Sequence, residues 1–171
     1  RIAEDALDAA QDAGLIDREP GLALPTDEIP ADLAASTLLH GPASGDEDAA
    51  AALVAELDAA EHAAGDEAGS GGEFDRRLAS LVTIDTVAAE GATERAARSI
   101  ERALRPYRTP DAPFATLGGF ADVLDAAART APAAGISLAL GDCDGADETA
   151  LAAWREDGHA VHEGLRTAET R

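Results

Sequence analysis

The chain has 171 residues and a formal net charge of −21, from 34 acidic and 13 basic residues. All the basic residues are Arg, Met is absent, and the single cysteine, Cys143, excludes an internal disulfide framework. No apolar run approaches the roughly 20 residues of a membrane-spanning helix, and the opening residues lack the apolar core of a signal peptide.

A chain this acidic repels itself at low salt. Molar salt cuts the screening length to roughly 3 Å, so the composition is that of a soluble protein adapted to a salt-rich cytoplasm. Leu, Ile, Val and Phe together make up 32 residues, whereas 43 are Ala. The expected core is therefore one of thin, closely approaching helices. The start at Arg1 and the lack of Met read as a processed chain or a fragment of a longer one.

Residues 2–13 place Ala3, Leu7 and Ala10 on one helical face, and Gly14 reads as its stop. Leu15–Pro30, with three prolines, reads as extended, followed by a short helix near Ala31–Leu39. A turn at 41–46 leads to Asp46, a candidate cap for a helix striped by Ala50, Leu53, Val54 and Leu57. Residues 61–73 hold four glycines and no large apolar side chain, and read as a flexible linker. The expected organisation is thus a helical region over 1–60, a linker over 61–73, and a second helical region over 74–171.

Phe74, Leu78, Leu81 and Val82 predict the first helix after the linker. A second spans about 94–105, with Ala96, Ile100, Ala103 and Leu104 inward and Pro106 ending it. Phe114–Leu117 reads as a short strand. Gly118 and Gly119 introduce a helix carrying Phe120, Val123, Leu124 and Ala127. Ile136, Leu138 and Leu140 alternate with small residues, which makes 135–141 the best strand candidate. A last helix aligns Leu151, Trp154, Val161 and Leu165. The fold class is mostly α (α+β overall), bundle-like, with one or two short strands.

Few residue groups suggest chemistry. Asp142, Asp144, Asp147 and Glu148 invite a divalent cation, but Gly145 comes too early for a calcium loop, and Asp147 suits a helix N-cap. His159 and His162 lie three apart near Glu163, with no third ligand in register, and read as solvated. Cys143 has no neighbouring His and reads as inert. Leu117-Gly118-Gly119-Phe120 reads as a turn more readily than as a phosphate loop. No catalytic or metal-ligating residue is assigned.

The most informative group is Arg95, Arg98, Arg102 and Arg105. At 100° per residue they fall in one helical stripe opposite Ile100 and Leu104, with Arg108 just beyond. Aligned guanidiniums can bridge successive backbone phosphates. Exposed ion pairs with Glu94 and Glu101 are the alternative use of the same stripe.

Several stretches taken in order resemble haloarchaeal RecJ-like proteins of the DHH phosphoesterase superfamily. They are GLALPTDEIPADLAASTLLHGPASGD at 21–46, FDRRLAS at 74–80, ERALRPYRTPDAPFATLGGFADVLDAAAR at 101–129, GISLALG at 135–141 and ALAAWREDGHAVHEGLRTAETR at 150–171. The resemblance implies a longer protein, a single-strand nuclease or related phosphoesterase, whose manganese or magnesium sits on Asp and His residues of an N-terminal α/β domain. This chain has no Asp-His-His triplet, and Leu-Gly-Gly-Phe lacks the His of the family's C-terminal substrate motif. The resemblance therefore implies the helical middle and the start of the substrate-binding part, with no cofactor of its own. The implied partners are single-stranded nucleic acid and the rest of the longer polypeptide. The other reading of the sequence is a non-enzymatic acidic helical module that binds a protein.

Overall fold

The computed structural model describes residues 2–39, 41–64, 72–88, 103–142 and 144–169. The described elements in chain order are α1 (Ile2–Asp12), β1 (Asp17–Arg18), α2 (Ile29–Ala35), α3 (Glu47–Ala64), α4 (Gly72–Ala88), β2 (Tyr107–Arg108), α5 (Leu117–Thr130), α6 (Pro132–Ala139) and α7 (Ala146–Glu169). The described residues are mostly helical, with one two-stranded antiparallel sheet among them. Among the described residues, no helix is long and apolar enough to cross a membrane.

Local chemistry sets most of these boundaries. Gly14, at φ +70°, closes α1: the Leu15 amide reaches back to the Ala10 carbonyl and the Gly14 amide to that of Gln11. Asp46 caps α3 by accepting from the Ala49 amide at 3.0 Å. Thr116 caps α5, its hydroxyl accepting from the Gly119 amide at 2.9 Å and donating to the Leu24 carbonyl at 2.7 Å. Asp147 is not the cap of α7 but an acid of its first turn, where the helix dipole favours it.

Residues 135–141, expected as a strand, belong to α6 and its cap. Pro132 fixes a helical φ in the first turn. Gly141, at φ +79°, ends the helix, with Asp142 N bonded to Ser137 O and Gly141 N to Leu138 O. Alternation misled because the three apolar side chains part company on a helix: Leu138 is buried, whereas Ile136 and Leu140 are 61% and 80% exposed. Phe114–Leu117 is likewise no strand; its one ladder contact is the isolated bridge from Thr116 to Arg108. The expected linker is helical at both described edges, since α3 runs to Ala64 and α4 begins at Gly72; residues 65–71 lie outside the described residues.

Two apolar clusters form the core. One gathers Leu22, Leu24, Leu33, Leu39, Leu78 and Val82. The other gathers Phe114, Val123, Leu138 and Trp154 with a set of alanines. Helix α2 lies between them, with Ala34 in the first cluster and Ala35 in the second. The face of α7 that packs inward is only partly the expected one: Trp154 is buried in the second cluster and Leu151 packs against it, but Val161 and Leu165 do not join them. Ala150, Trp154, Gly158 and His162 are buried at successive i+4 positions, while Val161 and Leu165 face outward. His162, expected in solvent, is 3% exposed, and its Nε2 lies 3.0 Å from the Ser36 carbonyl.

Candidate nucleic-acid interface

Residues 17–23 run antiparallel to 103–108. Asp17 faces Arg108 and Arg18 faces Tyr107 across the β1–β2 pair. Beyond it the pairing continues irregularly, through Glu19 N to Pro106 O, Arg105 N to Gly21 O and Ala23 N to Ala103 O. This ribbon brings Arg18, Arg105 and Arg108 together, a proximity that sequence separation conceals.

Of the expected stripe, Arg95, Arg98 and Arg102 lie outside the described residues. Arg105 is described, and it is not helical. Leu104 already bridges to Leu22, and Arg105 takes a left-handed φ of +55°. Pro106 explains the departure, because a following proline disfavours right-handed helical backbone at the residue before it. The helical spacing assumed for the stripe therefore does not extend to Arg105. Of the expected inward positions, Ala103 is buried and Leu104 packs against the first cluster, while Ala96 and Ile100 lie outside the described residues.

Arg105 lines a surface groove of about 710 Å³, together with Pro20, Gly21, Arg76, Ala79, Thr83 and Ile84. The lining is largely apolar, with two guanidiniums. Arg76 is held by Glu73 at 3.0 Å. No carboxylate among the described residues pairs with Arg105. Arg18 is similar: it sits between Asp17 and Glu19 in sequence, yet its guanidinium lies over the Tyr107 ring, 5.4 Å from the centroid. Its Nε donates to the Arg105 carbonyl at 3.3 Å.

The other arginines of the region serve structure. Arg108 meets Asp75 at 2.6 Å, Asp27 at 3.6 Å and Glu19 at 3.7 Å, so its charge is already shared among three acids. Arg155, on α7, bonds Asp32 at 2.8 Å and Glu28 at 2.7 Å. Asp32 is fully buried and also accepts from the Thr26 amide at 2.8 Å and hydroxyl at 2.7 Å. This carboxylate, which ties α7 to α2, drew no notice in the sequence because the sequence is crowded with acids. Arg129 pairs with Asp125 and Asp157 on the surface.

The remaining sequence candidates stay apart. Among the described residues, no three His, Cys, Asp or Glu side chains converge as a metal would require. His159 is exposed while His162 points into the α2 contact, so the two do not face a common ion. Cys143 lies outside the described residues. Gly118 and Gly119 do not open a phosphate loop. Added Cβ atoms there would stand 2.9 Å from the Ala23 Cβ and 2.5 Å from Pro25, so the glycines let α5 press on the 23–25 segment.

One relative shares this sequence almost end to end. It is an uncharacterized protein, rrnAC1427, of Haloarcula marismortui, 45% identical over 163 residues. The match covers 95% of the chain and 41% of the relative, so the chain spans about two fifths of the protein it resembles. No protein-family description matches the chain, and no solved structure does.

Proposed function

We propose that the chain is the helical, substrate-side part of a longer RecJ-like phosphoesterase of the DHH superfamily, a single-strand-specific exonuclease, and that it holds the strand while catalysis occurs elsewhere in that protein. The observation that carries this reading is Arg105. In a chain of 34 acids, its guanidinium meets no described carboxylate, it borders an apolar groove, and its backbone adopts a conformation that favours glycine. A left-handed non-glycine residue costs about 1 kcal/mol or more and is often retained for its side chain. A free guanidinium above apolar surface suits a phosphate beside a sugar. Manganese or magnesium would belong to the longer protein, and no described side chain is assigned to it.

The test is binding of a short single-stranded oligonucleotide, followed by fluorescence anisotropy at the lowest potassium chloride that keeps the chain folded. Affinity should fall as salt rises. Replacing Arg95, Arg98, Arg102 and Arg105 with Gln should weaken binding and flatten the slope of log affinity against log salt by roughly 0.7 per lost contact. An unchanged slope counts against the reading. Nucleotide release by the chain with manganese, abolished by a chelator, would show that it is more than the strand-holding part.

A second reading, the acidic protein-interaction module, is favoured by α6. Residues 131–141 carry no charge, and Ile136 and Leu140 stand outside. Under that reading Ile136→Asp with Leu140→Asp abolishes partner capture, and the Arg replacements change nothing.

A further inference from the structure

The Arg18–Tyr107 pair braces the ribbon, yet Arg18 stays exposed. The two residues are direct cross-strand neighbours in a ribbon of two-residue strands, a position where side chains lie close enough to stack. The chain holds 13 arginines and a single tyrosine. Arg76, Arg77, Arg108, Arg129 and Arg155 all face carboxylates. Arg18 is exposed and meets none among the described residues, although acids flank it on both sides in sequence. Instead it is held from two directions, by the ring below it and by the Arg105 carbonyl at its Nε. A guanidinium fixed in this way is planar, charged and open on its outer side. Such planes, like aromatic rings, stack nucleobases of unpaired strands.

We infer that Arg18, laid on Tyr107, is a stacking platform for one base of a single-stranded nucleic acid. The inference rests on the proposed strand-holding role and goes further, since it gives the site a contact to bases as well as to phosphates. A hydrogen bond supports the combination. Arg18 bonds the backbone carbonyl of Arg105, the residue that lines the groove, so platform and groove meet at one residue. A strand with a phosphate at Arg105 would meet the platform with a neighbouring base.

The two contacts differ in their response to salt and to the base. A phosphate contact releases counterions and so sets the salt slope, whereas stacking does not. Arg18→Lys separates them, because it keeps the charge and loses the planar fork. The experiment compares a short oligothymidylate with an abasic strand of the same length, by anisotropy, at one salt concentration and across a salt series. The wild-type chain should bind the intact strand about fivefold more tightly than the abasic one. Arg18→Lys and Tyr107→Leu should each remove that difference and leave the salt slope unchanged. Tyr107→Phe, which retains the ring, should preserve it. Helical circular dichroism identifies any variant that fails to fold, and the exposed Arg18→Lys is decisive if Tyr107→Leu does.

Equal binding of intact and abasic strands by the wild-type chain overturns the platform and leaves the phosphate contact standing. Arg18→Lys with wild-type preference for the intact strand overturns it as well. If neither strand binds, the strand-holding role itself fails, and the platform with it.

Discussion

Gly158 lies so close beneath Ala35 that a Cβ built on it would stand 1.9 Å from the Ala35 carbonyl oxygen. At this point α7 crosses the end of α2, and the crossing is backbone on backbone. No rotamer can relieve such a clash, so the helices would have to separate. Gly158→Ala should therefore destabilise the fold by about 3 kcal/mol. Gly164, on the same helix, has nothing within 4 Å of its notional Cβ. Gly164→Ala should raise stability by about 0.5–1 kcal/mol, the ordinary gain in a helix. Urea unfolding at fixed potassium chloride, read by circular dichroism, compares the two. Equal effects would mean that α7 does not cross α2 at this glycine.

The Arg155–Asp32 contact secures the same crossing. Removing the guanidinium leaves Asp32 fully buried beside Thr26 without its cation. Arg155→Met should cost about 3 kcal/mol, most of it from the stranded carboxylate. Because the pair is sheltered, its loss should depend little on salt. Arg129→Gln, at an exposed pair with Asp125 and Asp157, should change stability little. A loss from Arg155→Met that vanishes in molar salt would place the contact in solvent.

These two contacts also show where the sequence was legible. The helix beginning at Glu47 could be read because its cap, Asp46, and its apolar spacing agree; the one beginning at Leu117 shows in the sequence only through Val123 and Ala127, which face inward, and not through its cap Thr116. The inner face of α7 was legible at Leu151 and Trp154 but not beyond, because its contact with α2 depends on what a residue lacks. Gly158 packs by having no side chain, and hydropathy favoured Val161 and Leu165, which remain outside. The candidate interface was half legible. Helical spacing points to Arg105, although that spacing is not what places it. Nothing in the sequence points to Arg18, because its partner Tyr107 lies far along the chain. Arg76, which looks unrelated to the stripe in sequence, shares the groove with Arg105; it is therefore no neutral control for strand binding, whereas Arg129 is.

Folding itself should require salt. A charge of −21 acts on a core with few large side chains, and the repulsion is long-ranged until it is screened. Helical circular dichroism should rise steeply as potassium chloride approaches molar concentration. A spectrum equally helical in dilute buffer would show that packing alone outweighs the repulsion.

Asp122 adds a local pH dependence. Burial pushes its carboxyl above the ordinary value of 3.8, against the lowering effect of the Trp154 indole, which donates to it at 2.7 Å. Asp125 and Asp157 add to the upward push and Arg129 opposes it. With the folded-state value raised, the folded chain holds the proton that the unfolded chain has released. This contribution therefore grows as pH falls through the folded value, levels off below 3.8, and is lost as pH rises. Asp122→Asn keeps an acceptor for the indole and removes the charge. The variant should be no less stable at neutral pH, and its advantage over the wild-type chain should shrink as pH drops toward 4. Asp122→Ala should cost about 1–3 kcal/mol, since it strands a buried indole N–H. Unfolding curves across pH 4–7 check both.

Arg105 allows stability and binding to be separated. Its φ of +55° is relaxed for glycine and strained for arginine. Its backbone serves the ribbon in two ways, the amide donating to Gly21 and the carbonyl accepting from Arg18. Glycine retains both groups, so Arg105→Gly keeps the ribbon's backbone bonds and removes the whole side chain with its guanidinium. Stability should hold or rise by up to about 1 kcal/mol, the relief of strain being partly offset by the freer unfolded chain. Strand affinity should fall, and the salt slope should flatten by roughly 0.7, the value for one phosphate on a single strand. Arg105→Gln should lose the same affinity while keeping the strain, so the two variants should match in binding and differ in unfolding midpoint. A stabilised glycine variant with unchanged affinity would mean that the guanidinium meets no phosphate. A destabilised one would mean that the side chain holds the ribbon together, and the strained backbone would then be explained by folding instead of by binding.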